Sequence, residues 1–241
     1  MFEATLKRGA LASVVLAAGS ASADISSVIF TITAEVNSNS YSWDAQLDPG
    51  GVDANGNYYW QLANPVEVYD GSDLIFELGS ATITIIADPM VSLNFQVLAG
   101  QQNTVFTIDS ANLSFTPFGG VIGRATAAVS VTDLNGDGAT FTPWGPGAYR
   151  ARYNGASSTF QNLIGAPIVA PAFGSASSSD TFPGVGYAPI PGVISDIESA
   201  WRFTLSAGDL ASGTSEFEVI PAPASATLLG LGALAAMRRR R

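Results

Sequence analysis

The stretch "ATITIIADPMVSLNFQV", Ala81–Val97, decides the fold class. Apolar and polar residues alternate on both sides of Asp88-Pro89-Met90, and this period of two is typical of strands with one buried face. Aspartate and proline side by side are typical of a turn. The stretch therefore predicts two antiparallel strands joined by a tight connection. The same alternation occurs upstream in "SSVIFTITAEV", Ser26–Val36, where Val28, Phe30, Ile32 and Ala34 share one side.

Further runs of this kind follow along the chain. "TVFTI" (Thr104–Ile108), "ANLSF" (Ala111–Phe115) and "RATAAVSVT" (Arg124–Thr132) are rich in residues that favour strands, and no long stretch has a helical period. Short strands about ten residues apart are typical of all-β folds. We therefore predict an antiparallel β-sandwich or jelly-roll-like ectodomain.

The composition changes between residues 155 and 192, where Gly, Pro, Ala and Ser predominate. This region predicts either a long ordered loop over one face or a flexible insertion. Strand character returns in "ESAWRFTLSAGDL" (Glu198–Leu210) and "GTSEFEV" (Gly213–Val219). Because two terminal strands are not stable alone, we assign residues 24–219 to one domain, called the body below.

The composition of the 241 residues excludes several classes of enzyme. The chain has no cysteine and no histidine, and Lys7 is its only lysine. Thiol nucleophiles, Ser-His-Asp triads and histidine-ligated zinc sites are thereby excluded. The body holds four arginines against nineteen Asp and Glu, a net charge of about −15. Such a charge repels phosphates and argues against nucleic acid as a partner.

The N-terminal segment "MFEATLKRGALASVVLAAGSASADIS", Met1–Ser26, has the order of a secretory signal. Lys7 and Arg8 precede an apolar run, and the small residues Ala21 and Ala23 stand at the positions that signal peptidase requires. We predict a signal peptide over residues 1–23, cleaved after Ala23. The alternative is a buried N-terminal helix.

The C-terminal segment "VIPAPASATLLGLGALAAMRRRR", Val219–Arg241, combines prolines, an apolar run and a basic end. The fourteen residues from Ala224 to Met237 carry no charge and would rise about 21 Å as a helix. This is short of the hydrocarbon core of a bilayer, about 30 Å thick. Four arginines would hold the end on the cytoplasmic side: Arg238, Arg239, Arg240 and Arg241. We therefore predict transient membrane association through this tail; the alternative is a permanent tail anchor.

This tripartite tail, residues 220–241, resembles the PEP-CTERM sorting signal, the substrate tag of exosortases. Residues 226–237 take the position of its apolar helix, and the arginines that of its basic stop. The position of its motif is taken by Pro221, Ala222, Pro223, Ala224 and Ser225. Alanine at 222 replaces the glutamate that gives the signal its name. The resemblance implies that an exosortase-type membrane enzyme cuts near the motif and releases or transfers the body at the cell surface.

One loop of the body predicts a calcium site. In "DLNGDGATFT", Asp133, Asn135 and Asp137 stand at alternate positions before Gly138, as in the first half of a calcium loop. Trp144 stands where an EF-hand has its bidentate acid, so an EF-hand is excluded, and a carboxylate from elsewhere would complete the site. The alternative is a plain hairpin turn at Asn135-Gly136.

Three other groups of side chains are weaker candidates. A second polar loop carries Asp48, Asp53, Asn55 and Asn57, and its glycines point first to turns. Arg150 and Arg152 share one side of a strand, where we expect them to pair with carboxylates. Aromatic side chains that could stack on sugars, or pack in the core instead, are Trp43, Tyr58, Tyr59 and Trp60.

These features favour a non-enzymatic protein that is exported to the cell envelope, surface or extracellular matrix. Its expected partners are signal peptidase and an exosortase-type enzyme, with extracellular polysaccharide as a further candidate. The alternative function is a carbohydrate-binding surface module, with Ca²⁺ as its candidate cofactor. A third hypothesis is a polysaccharide-acting enzyme that uses two carboxylates, for which Asp44, Asp88 and Glu198 are nominated without any support from their spacing.

Overall fold

A computed structural model describes residues 23–155 and 157–221, which form sixteen antiparallel strands and one short 3-10 helix (Pro49–Gly51). The strands in chain order are β1 (Asp24–Ile25), β2 (Val28–Val36), β3 (Asn39–Gln46), β4 (Tyr58–Gln61), β5 (Val66–Asp70), β6 (Asp73–Ile86), β7 (Met90–Ala99), β8 (Thr104–Ser110), β9 (Leu113–Thr132), β10 (Ala139–Pro143), β11 (Tyr149–Tyr153), β12 (Ser158–Leu163), β13 (Ile168–Ala170), β14 (Ser175–Phe182), β15 (Ala188–Leu205) and β16 (Leu210–Pro221). In these ranges no helix is long and apolar enough to cross a bilayer.

One continuous hydrogen-bonded path, β3-β2-β8-β15-β9-β16-β7-β6-β4, runs through the sheet. We call β14, the C-terminal part of β9, β16, β7, β6, β5 and β4 the front half. The back half contains β3, β2, β8, the C-terminal part of β15, and the short strands β10 to β13. The N-terminal parts of β9 and β15 pair with each other and join the two halves. Their pairing is interrupted by two register shifts, as expected where a sheet bends.

The sheet curls until the inner faces of the two halves pack together around one apolar core. Aromatic pairs cross between the layers: Phe95 of β7 stacks on Phe203 of β15 at 5.8 Å between ring centroids, and Phe76 of β6 meets Phe106 of β8 at 5.9 Å. Along β7 the inward residues are buried, while their neighbours remain partly exposed. The predicted all-β, antiparallel, sandwich-like fold is confirmed.

The strand boundaries agree with the alternating patterns in several places and differ in two. β6 and β7 form the hairpin predicted around Asp88-Pro89-Met90, and β2 buries Phe30, Ile32 and Ala34. The runs "ANLSF" and "RATAAVSVT", expected as separate short strands, belong to one strand, because β9 continues from Leu113 through Gly119-Gly120 over twenty residues. It continues because it has antiparallel partners along its whole length, β15 and then β14.

The second difference is residues 155–192, predicted as a loop or a flexible insertion. They contain β12, β13, β14 and the start of β15. β14, with the sequence SASSSDTF, has low intrinsic preference for strand, but it pairs with β9 over eight residues from Ser175 to Phe182. A neighbouring strand supplies the hydrogen bonds and the register, which outweigh the propensity of small residues.

Candidate functional site

The loop between β9 and β10 folds around the carboxylate of Asp133, which is buried at the end of β9. Its oxygens accept hydrogen bonds from the backbone N–H groups of Gly136 (3.0 Å) and Phe173. Gly136 and Gly138 have φ angles of 92° and 93°, a backbone conformation that side chains with a Cβ rarely adopt. The two glycines therefore permit the tight winding of the backbone around the carboxylate.

The turn between β15 and β16 lies against this loop and adds a third carboxylate, Asp209. One carboxylate oxygen of Asp209 lies within 4.8 Å of one oxygen each of Asp133 and Asp137. The side-chain amide of Asn135 donates to the carbonyl of Ala207 at 3.0 Å and ties the loop to the turn. Because β16 pairs with β9, with Leu210 opposite Thr132, the fold places the two connections side by side.

Two of the three carboxylates are buried, and their pKa values shift in opposite directions. Burial raises the pKa of Asp209. Burial alone would also raise the pKa of Asp133, but the N–H groups of Phe173, Gly136 and Gly138 outweigh it and hold this pKa below its ordinary value. Asp137 is exposed. The cluster thus holds buried negative charge, which suits a hard cation.

The second polar loop is satisfied by its own atoms. Asp53 accepts the backbone N–H groups of Asn55 and Asn57, each at 2.8 Å, and the side-chain amide of Asn57 at 3.0 Å. The hydrogen bond from the backbone of Asn57 is the main reason why the pKa of Asp53 is lowered. Asp48 caps the 3-10 helix by accepting the N–H of Gly50. The loop is therefore a hydrogen-bonded turn.

The four aromatic candidates do not form one exposed surface. Tyr58 is buried, and Trp43 and Trp60 are half-buried with their rings packed near Phe30. Tyr59 points the other way and is 61% exposed. Of the four, Tyr59 is therefore the one placed to stack on a ligand.

The outer face of the front half carries small uncharged polar side chains across five strands, β14, β9, β16, β7 and β6, and we call it the polar face. Residues paired in register lie on the same face of a sheet. Its first row is Ser177, Ser130, Ser212, Gln96 and Ser80, and its second row contains Ser179, Thr214, Asn94 and Thr82. An open groove of about 510 Å³ lies along these rows, and no charged residue lines it in the described part of the chain.

Tyr59 lies on the same outer face. It pairs with Thr84 of β6, one row beyond Thr82, and its hydroxyl donates to Gln61 at 3.2 Å. Gln61 in turn pairs with Thr82. The sequence patterns do not predict the polar face, because its serines lie in segments whose strand pairing is not apparent from composition.

The arginines of β11 and β15 gather on the outer face of the back half. Arg152 pairs with Glu198 (3.0 Å) and with Asp109 (3.4 Å), as expected. Arg150 makes no ion pair with any residue in the described ranges, and burial lowers its pKa. Burial also raises the pKa of Asp109, although Arg152 opposes the shift. The cluster ties β8, β11 and β15 together.

The three nominated catalytic carboxylates lie in separate places. Asp44 is on β3 at an edge of the back half, Glu198 is on β15, and Asp88 is in the β6–β7 turn of the front half. β3 and β15 are three strand spacings apart, about 14 Å. This exceeds the separation of about 5–9.5 Å at which two carboxyl groups act on one glycosidic bond.

Several predicted residues fall outside the described ranges. These are Ala21 and the tail from Ala222 onward, with the rest of its motif, its apolar segment and its arginines. Two residues of these terminal signals lie inside the described ranges: Ala23 is half-buried against the core, and Pro221 is the last residue of β16.

No protein-family model and no curated protein matches this chain. The fold defines an all-β, sandwich-like protein.

Proposed function

We propose that this chain is an exported, non-enzymatic protein of the cell surface or extracellular matrix, sorted through its tail by an exosortase-type enzyme. The observation that carries the proposal is the order of signals at the C-terminus. The motif at 221–225 precedes an uncharged apolar segment and then Arg238–Arg241. The predicted leader at the other end supplies the route out of the cytoplasm.

Both predicted cuts lie next to the ends of described strands. Cleavage after Ala23 would leave Asp24, the first residue of β1, at the new N-terminus. A cut within the motif would leave β16 paired with β9 and β7, since that strand ends at Pro221. Among the described residues, the two cuts would remove no buried residue of the apolar core, and Ala23 is the residue packed against that core that would be lost.

Replacing all four arginines, Arg238 to Arg241, by serine is expected to stop tail processing in the native host. Without them the short apolar segment has no basic stop to hold it across the membrane for the sorting enzyme. The measurement is immunoblotting of membrane and extracellular fractions. The wild-type protein should be recovered in a form that has lost its C-terminal tail, whereas the variant should keep its tail.

The control is Arg124→Ser, which removes an exposed arginine of β9 and should be processed normally. Normal shortening of the four-serine variant would contradict the proposal. So would wild-type protein that stays in purified membranes at full length.

A second candidate function, binding of a neutral polysaccharide, is favoured by the polar face. Hydroxyl and amide groups supply both donors and acceptors, which match the hydroxyls of sugars. The groove has the size of ordinary ligand sites, about 300–1,000 Å³, and its lining is uncharged although the body carries strong negative charge. An uncharged groove on such a body favours a neutral ligand, and the first charged side chain in register beside it toward Tyr59 is Glu216, in the row that ends at that tyrosine. Tyr59, exposed on the same outer face, offers a ring on which a sugar could stack.

Thr214→Arg, at the centre of the polar face, is expected to weaken polysaccharide binding at least about tenfold, because a long charged side chain would fill the groove. Binding is measured on a glycan array and by affinity electrophoresis in soluble β-glucan and dextran. Tyr59→Ala should weaken it as well. The matched control is Tyr69→Ala, an exposed tyrosine that pairs with Leu74, ten residues before Thr84 on β6. Retention of no glycan, or equal retention by wild type and Thr214→Arg, would refute this candidate.

A further inference from the structure

We propose that Asp133, Asp137 and Asp209 bind one Ca²⁺ ion, which joins the β9–β10 loop to the β15–β16 turn. One carboxylate oxygen from each residue lies within 4.8 Å of the other two. Calcium binds oxygen at 2.3–2.6 Å, so two oxygens on one ion are separated by at most about 5 Å. The 4.8 Å limit on the three separations is therefore within the span that one calcium ion can bridge.

The observation that points to a bound cation is the carboxylate of Asp209. The residue is 0% exposed. Its Oδ2 is held by the hydroxyl of Ser206, whereas its Oδ1 is buried and has no hydrogen-bond donor among the described residues. A buried carboxylate oxygen without a partner is strongly unfavourable. A cation in the cluster would supply the missing interaction.

Asp133 adds a second buried carboxylate beside the first. Its N–H donors from Gly136 and Phe173 favour the ionised form. Two like charges held together away from water repel each other, and either a cation or a shared proton must offset the repulsion. Calcium fits better than magnesium, because three carboxylates converge here, whereas magnesium demands near-ideal octahedral geometry and is usually bound through one or two carboxylates.

The chain contains an internal comparison for this loop. Asp53-Ala-Asn-Gly-Asn57 and Asp133-Leu-Asn-Gly-Asp137 share Asp, Asn and Gly at the first, third and fourth positions and differ at the second and the fifth. In the first loop the side-chain amide of Asn57 donates to Asp53. In the second loop the carboxylate of Asp137 takes the position of that amide, and a cation beside it would replace the amide's donation.

The cluster also revises the ligand set expected from the sequence. The side-chain oxygen of Asn135 accepts the N–H of Asp137 at 3.0 Å, and its amide donates to Ala207. Asn135 thus positions the loop against the turn, and Asp209 supplies the third carboxylate.

The test is isothermal titration of the full-length protein with CaCl₂, together with thermal unfolding in CaCl₂ or EDTA. We expect one ion per chain. The melting temperature should rise by about 5–10 °C when calcium is a hundred times its dissociation constant. Asp209→Asn should weaken calcium binding at least about tenfold. Asp137→Asn recreates the pattern of the first loop and should fold with little response to calcium.

Asp53→Asn is the matched control, since it alters the other loop and should bind calcium as the wild type does. Asp137 is exposed, so its variant keeps the test informative if Asp209→Asn fails to fold. The proposal is wrong if the wild type binds no calcium or if Asp137→Asn responds as fully as the wild type. An equal response to MgCl₂ would overturn the assignment to calcium. A protein stabilised by acid but not by calcium would indicate a shared proton instead.

Discussion

Replacing Trp201 with alanine is expected to lower the free energy of unfolding by about 3–5 kcal/mol. Trp201 lies on β15 at the centre of the core and is 1% exposed. Its ring meets Phe95 edge-on at 5.4 Å and Tyr149 at 5.3 Å between centroids. Its indole N–H donates to the buried hydroxyl of Ser215 at 3.0 Å, so alanine leaves both a cavity and an unpaired polar group.

The measurement is equilibrium unfolding in urea, followed by circular dichroism. The matched control is Trp144→Ala, because Trp144 is 45% exposed and its ring lies against the guanidinium of Arg202, 4.3 Å from the ring centroid. Loss of that contact should lower stability by only about 0.5–1 kcal/mol. An equal loss of stability in Trp201→Ala and Trp144→Ala would contradict the packing of Trp201 in the core.

Gly100→Ala is expected to lower stability by about 3 kcal/mol or more, or to prevent the protein from accumulating in folded form. A Cβ at this position would lie 1.7 Å from the carbonyl oxygen of Leu74 and 2.9 Å from that of Ile75. Both atoms belong to the backbone of β6 and cannot rotate away. Gly100 also donates to Ile75 and accepts from Gly208, so moving it disturbs the contact between β6 and the β15–β16 turn.

Gly79→Ala, on β6, is the control. The nearest atom to its added Cβ is Oε1 of Gln96 at 3.0 Å, the far end of a flexible side chain. The substitution should change the free energy of unfolding by about 1 kcal/mol or less, and the sign of this change depends on how easily the side chain of Gln96 moves. Soluble yield and urea unfolding measure both variants, and a Gly100→Ala protein as stable as Gly79→Ala would contradict the close approach of β6.

Alternation in the sequence predicts the strands whose two faces differ in polarity. In β6 and β7, Ile83, Ile85, Leu93 and Phe95 are buried while the residues between them are not, so the hairpin follows from local pattern alone. β14 could not be predicted in this way, because its small residues give neither a strong pattern nor strong propensity. Its strand conformation depends on β9, more than forty residues away in sequence.

In the candidate cation cluster, two carboxylates can be predicted from local sequence and the third cannot. Asp133 and Asp137 follow from a local spacing that the sequence displays directly. Asp209 lies more than seventy residues later in a short turn with no motif of its own, and only the pairing of β16 with β9 brings it to the loop. The sequence also groups Tyr58 and Tyr59 as candidates for stacking on sugars. The two side chains point to opposite faces of β4, so Tyr58 is buried and Tyr59 is exposed.

The central proposal, an exported body released from its sorting tail, is tested most directly by the intact mass of the protein isolated from its native cells. We expect a chain that begins at Asp24 and ends within or close to residues 221–225. A mature protein whose mass still includes the four C-terminal arginines would contradict it.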